Sequence, residues 1–283
     1  MRTVILVHGF WHGSWVWSPV TTHLAARGIP SVAVDVQGHG LNARAPEAAR
    51  TRPFAPETFA TEPSPLADVT ATSAAHALLE QIRFIGGGAP CVVLAHSMHG
   101  VVATLAAQLE PDLFEHLVYV SAFAPVAGLP AAGYIATPEN DGDLLRHSFT
   151  GDFAAIGALR LDTRDPSRHE HLRQALYADV EPGTARAALD LISVDGPIGV
   201  PGQPLDVTPE RFGAVPHSYV TCSQDRAVRP ALQRRFIREI DAISSRPTSV
   251  FELDSAHSPM LSQPAALADV IETVWLAPQV GVR

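Results

Sequence analysis

A chain of 283 residues, 46% hydrophobic and 17% charged, can bury a large core; this excludes a disordered segment and fits one α/β core carrying an insert. Its formal net charge of −9 disfavours nucleic acid as a partner, because phosphate binding is driven by concentrated cations. All 20 basic residues are arginine, so Schiff-base chemistry, pyridoxal-phosphate attachment and the P-loop lysine are excluded together.

The first predicted strand begins almost at once. Met1-Arg2-Thr3 leads directly into Val4-Ile5-Leu6-Val7, leaving no room for a signal peptide, and no apolar run reaches the length of a membrane span. The expectation is a cytoplasmic protein with no membrane partner. After the loop His8 to Trp15, a second strand is predicted at Val32–Val34. The stretch from Gly38 to Ala67 holds Pro46, Pro53, Pro56, Pro63 and Pro65, too many for a regular helix, and reads as a surface excursion near the mouth of a site. A helix over Ala74–Ile85, with Leu78, Leu79 and Ile82 on one face, leads into the strand Val92–Ala95. The helix Val101–Leu109 and the strand Leu117–Val120 follow.

Between Pro125 and Pro216 the strand signal vanishes, while helix starts occur at Asp165-Pro166 and Glu181-Pro182. Residues 125–216 therefore read as a mostly helical cap inserted into a core made of residues 1–124 and 217–283. The core resumes with the strand Tyr219–Cys222, the helix Leu232–Ile243, the strand Val250–Leu253 and the helix Ala265–Leu276. Short apolar strands alternating with helices predict a doubly wound, mainly parallel α/β sheet covered on both faces. Cys91 and Cys222 stand apart in apolar runs and read as buried free thiols.

The chemistry is concentrated at strand ends. Val92-Val93-Leu94-Ala95-His96-Ser97-Met98-His99-Gly100 passes from strand to helix with a serine at the turn, which is how a nucleophile is lifted clear of a sheet. The usual pattern is Gly-x-Ser-x-Gly; here Ala95 and His99 hold the glycine positions, and an imidazole at 99 needs room that such a turn does not ordinarily provide. A serine hydroxyl needs a base, and the base needs a carboxylate that holds its tautomer. Asp225 lies just past one strand and His257 just past the next, in the chain order Ser, Asp, His. The oxyanion requires backbone donors, for which Met98 N–H and Phe10 N–H are the candidates, with Gly9 and Gly13 freeing the loop to turn.

The loop His8-Gly9 to Trp15, the serine turn, Cys222-Ser223-Gln224-Asp225-Arg226 and Ala256-His257 together resemble the α/β-hydrolase superfamily. Within it they are most similar to plant methylesterases, hydroxynitrile lyases and bacterial esterase relatives. The similarity spans nearly the whole chain and includes the cap piece Leu176-Tyr177-Ala178-Asp179-Val180. The proline-rich excursion and His99 depart from that pattern. The resemblance implies a lysine after the histidine and a small hydroxyl residue in the oxyanion loop for cyanide-releasing lyases; Ser258 and Phe10 stand there instead, which argues against that chemistry.

Several of these residues also have plainer structural readings. Asp254 competes with Asp225 as the acid, but Asp225 is favoured because it ends a separate strand. His96 reads as a structural hydrogen-bonding side chain, His99 mainly as a packing residue, and His8 and His12 as braces of the oxyanion loop rather than metal ligands. Trp15 and Trp17 read as core, whereas Trp11 and Phe123 are candidates for lining a substrate pocket. The resulting expectation is a serine hydrolase for an ester of a small to medium apolar molecule, using no cofactor and no metal. A lyase or cyclase using His257 as a proton-transfer base, and a ligand-binding protein with vestigial catalysis, are the alternatives.

Overall fold

A computed structural model describes residues 2–277. Among the described residues nine strands occur: β1 (Val4–Val7), β2 (Ser31–Val34), β3 (Cys91–His96), β4 (Phe114–Val120), β5 (Phe149–Thr150), β6 (Ala158–Leu161), β7 (Asp195–Pro197), β8 (His217–Cys222) and β9 (Ser249–Leu253). Six of them form one sheet in the order β2-β1-β3-β4-β8-β9, and every pairing in it is parallel. All six predicted core strands are present, lengthened by up to three residues at their starts.

Strands buried on both faces need apolar residues at every position, and this sheet uses them alternately. Ile5, Val7, Val93, Ala95, Leu117 and Tyr119 enter one core cluster with residues of the helices Ala71–Gly86, Gly100–Leu109 and Pro230–Ile243. Val4, Leu6, Val92, Leu94, Val118 and Val120 enter the other, with the helices Ser18–Ala26 and Pro264–Leu276. Leu78, Leu79 and Ile82 are buried on one face as their spacing predicts. The free thiols Cys91 and Cys222 are both buried.

The chain runs from β1 outward to β2 and then returns to place β3 on the other side of β1. At such a switch point the two connections leave in opposite directions and open a crevice beyond the carboxyl ends of the strands. The loop after β1 and the turn after β3 both face this crevice, which brings His8–Trp15 beside Ser97 although the two lie far apart in sequence.

The stretch between β4 and β8 is helical where predicted. Asp165 caps the helix Pro166–Leu176 by accepting from Ser167 N–H, and Glu181 caps Pro182–Leu191 through Gly183 and Thr184 N–H. It is not strand-free, however: β5, β6 and β7 form a small antiparallel sheet. These strands are two to four residues long and contain Thr, Arg, Asp, Gly and Pro, so they carry no alternating apolar pattern. A fully buried bidentate ion pair, Arg160 Nε and Nη2 with Asp195 at 2.7 and 2.8 Å, ties β6 to β7.

The proline-rich excursion corrects one expectation. It includes a short helix, Pro56–Thr61, with proline at its first position where no N–H is needed. It also packs on the small sheet, since the Phe59 and Glu62 carbonyls accept from Arg160 Nη1, and its His39 ring stacks on Phe10 of the loop after β1. No described helix is long and apolar enough to cross a membrane.

Candidate active site

Ser97 sits where β3 gives way to a tight turn and then to the helix Gly100–Leu109, and its φ of 54° lies in the left-handed region. A non-glycine residue there is held in strain, which the buried strand and helix on either side enforce. Two neighbouring glycines make the turn possible. A Cβ at Gly100 would come within 2.2 Å of the Phe123 carbonyl oxygen, and one at Gly9 within 2.8 Å of Ser97 Cβ. The demand for a missing side chain therefore falls on Gly100 and Gly9, while His99 is accommodated and the turn is formed around it.

His257, on the loop after β9, places Nε2 2.9 Å from Ser97 Oγ. Its Nδ1 lies 2.8 Å from Asp225 Oδ2, on the loop after β8. A carboxylate only accepts, so Nδ1 carries the proton and neutral His257 offers the Nε2 lone pair to the serine hydroxyl. Asp225 is fully buried and further held by Ala227 N–H at 2.7 Å and Val228 N–H at 2.9 Å on Oδ1, and by the Ser121 hydroxyl on Oδ2. The rival Asp254 is exposed and accepts from Ser223 and Gln224, away from the imidazole.

Phe10 and Met98 flank the serine, one on the loop after β1 and one on the turn after β3, and among the described residues neither N–H donates to a protein acceptor. The loop after β1 is braced by histidines. His8 Nδ1 donates to Gly9 O and His12 Nδ1 to Phe10 O, each at 2.7 Å, and Tyr177 O–H donates to His12 Nε2 at 2.6 Å. Burial favours the neutral rings, lowering His8 to about 4 and His12 to about 3. His96 donates from Nε2 to the His257 carbonyl at 2.9 Å, and its ring centroid lies 4.7 Å from that of His257.

Over Ser97 lies a cavity of about 40 Å³, walled by Trp11, Met98, Phe123, Ile135, Phe149 and Leu159, with Asn140, Asp143 and Arg146 as its polar members. Trp11 and Phe123 thus line the cavity, and Trp11 is fixed by donating from Nε1 to Leu159 O at 3.0 Å. Trp17 is buried in the core and Trp15 packs against it.

Comparison with known proteins bears on this arrangement. A model of the alpha/beta hydrolase family matches residues 4–270. The chain belongs to the alpha/beta hydrolase family. It is 26% identical to Methylesterase 9 of Arabidopsis thaliana over 277 residues, covering 95% of this chain and 96% of that protein. Among solved structures it superposes on a pyrethroid hydrolase from Sphingobium faniae JZ-2 with a TM-score of 0.76 at 21% identity, covering 98% of each chain. Polyneuridine aldehyde esterase follows with a TM-score of 0.74 at 20% identity, covering 97% of this chain and 99% of that one.

Two further residues of this α/β hydrolase join the arrangement without a local motif to mark them. Ser121, at the end of β4 with φ 41°, reaches Asp225. Its signal was positional: it ends the strand between those of Ser97 and Asp225. Asp179 accepts from Ala256 N–H at 3.0 Å and from Ser255 Oγ at 2.9 Å, and so anchors the loop that carries His257. Nothing local in the sequence links Asp179 to a residue 77 positions away.

Proposed function

We propose that the protein is a carboxylic ester hydrolase acting through an acyl-enzyme on Ser97. The observation that carries this reading is the unbroken chain Ser97 Oγ to His257 to Asp225, at 2.9 and 2.8 Å, at the edge of an apolar cavity. His257 Nε2 takes the hydroxyl proton as Oγ attacks the ester carbonyl carbon, and Asp225 stabilises the imidazolium that forms. The carbonyl oxygen gains negative charge, which the Phe10 and Met98 N–H groups receive. His257 then returns its proton to the departing alkoxide, which leaves as an alcohol. A water molecule, deprotonated by the same nitrogen, attacks the acyl carbon; collapse of the second tetrahedral adduct frees Ser97 and the carboxylic acid. Residues 125–216 act as the cap over this reaction, and no metal or organic cofactor enters any step.

The apolar walls favour an ester of a small to medium apolar molecule. A cavity of about 40 Å³ is far below the several hundred Å³ typical of ligand sites, so cap side chains such as Phe149 and Leu145 shift to admit substrate. The esterase and hydrolase names of the relatives support the reaction class. A turn that forms around His99 with Ser97 facing His257 supports hydrolysis over lyase or cyclase chemistry.

Ser97→Ala is expected to lower turnover of an aryl ester by about 10⁴-fold or more, with the fold intact by circular dichroism. A fluorophosphonate is expected to add its mass to the peptide containing Ser97. Full turnover by Ser97→Ala, or turnover with no acyl adduct on Ser97 under rapid quench, overturns the proposal.

A further inference from the structure

We infer that His99, standing where the serine turn usually has glycine, is a positioning residue that locks the oxyanion loop to the nucleophile turn. The inference rests on reading the Phe10 and Met98 N–H groups as the oxyanion donors. His99 Nδ1 lies 2.7 Å from the His8 carbonyl oxygen, and because a carbonyl only accepts, the ring donates to it. This bond joins the turn two residues past Ser97 to the loop two residues before Phe10. Between His8 and Phe10 stands Gly9, which has no side chain to restrict its backbone, so the orientation of the Phe10 N–H depends on fastening from outside. The Phe10 ring supplies the second hold: it meets the His99 ring edge-on at a centroid distance of 5.1 Å and stacks on His39 at 5.0 Å. His39 and His99 themselves cross perpendicularly at 4.6 Å.

The other ring nitrogen argues that this bond is what the histidine supplies. His99 is fully buried and its Nε2 has no partner among the described residues, so the ring carries a desolvation cost that glycine or an apolar side chain would avoid. Packing alone does not call for an imidazole here; the single donated bond does. Since charge on the carbonyl oxygen develops only in the transition state, loosening the loop affects turnover and leaves substrate binding nearly unchanged.

His99→Ala, His99→Leu and His99→Asn separate the possibilities, with Ser97→Ala as reference. Asparagine can place its amide nitrogen near the position of Nδ1; alanine and leucine cannot. On a p-nitrophenyl ester, His99→Ala and His99→Leu are expected to lower kcat roughly ten- to a hundredfold with KM within about twofold, and to weaken a trifluoromethyl ketone inhibitor by a similar factor. His99→Asn is expected to stay within about threefold of the parent kcat. Unchanged kcat in the folded alanine and leucine variants overturns the inference, as does failure of asparagine to rescue, whether it folds or not. If neither alanine nor leucine folds while asparagine does, the bond serves folding alone and the inference falls. Should Ser97→Ala retain turnover, the proposed function itself fails, an outcome distinct from all of these.

Discussion

Asp225 is the most heavily constrained side chain of the site, since both of its oxygens accept from fixed donors before His257 is counted. Because backbone N–H groups hold Oδ1, an asparagine at 225 would direct its amide nitrogen toward His257 Nδ1, where a donor faces a donor and the wrong tautomer is favoured. Asp225→Asn is therefore expected to lower kcat by about 10³- to 10⁴-fold while KM changes little, measured by steady-state kinetics on an aryl ester. Ser121→Ala removes one hydroxyl donor to the same carboxylate, and a loss of about tenfold in kcat is expected. A Ser121→Ala enzyme with parental kinetics would show that this hydroxyl does not help to hold the carboxylate. Ser97, Asp225 and His257 were legible because each ends a strand and the order of the three is readable from the chain. Ser121 was not, because a serine after an apolar strand carries no motif until the neighbouring strand is known.

Among the elements, the segment Leu176–Val180 bears on both halves of the site. Tyr177 donates to His12 of the loop after β1, and Asp179 holds the backbone before His257. Asp179→Ala is expected to lower kcat about tenfold and to cost about 1.5–3 kcal/mol of stability, read from urea unfolding, because hydrogen bonds to a charged group are lost. Asp195→Ala strands the buried Arg160 guanidinium without its carboxylate, and about 3–5 kcal/mol of stability should be lost. A variant as stable as the parent would contradict the burial of that pair. The six core strands were legible from their apolar runs. The strands β5–β7 were not, because they are held by the Arg160–Asp195 pair and by packing against the proline-rich excursion, both of which are contacts between distant segments.

At the scale of the whole molecule, the buried histidines couple the fold to pH. Burial lowers His8 to about 4 and His12 to about 3, and it pushes His39, His96 and His99 well down as well. An unfolded histidine binds its proton near pH 6.5, so below that pH the unfolded state takes up protons that the folded state refuses. The stability these groups contribute is complete above about pH 6.5 and is lost as pH falls toward 4, at up to about 1.4 kcal/mol per pH unit for each ring. The urea midpoint is expected to drop steeply between pH 7 and pH 5, with uptake of more than one proton on unfolding; a flat midpoint across that interval would contradict neutral burial of the rings. The overall architecture was legible from strand and helix alternation, whereas the histidine cluster was not, because it assembles from three separate loops at the crevice. The empty place beside Gly9 also limits how the enzyme can diverge. A single methyl group there would strike Ser97 Cβ and the His96 ring, each at 2.8 Å, so this position admits nothing larger than glycine. New substrate preferences have to arise elsewhere in the cavity lining, at residues such as Ile135, Leu145, Phe149 and Leu159, where a change of bulk leaves the reacting groups untouched.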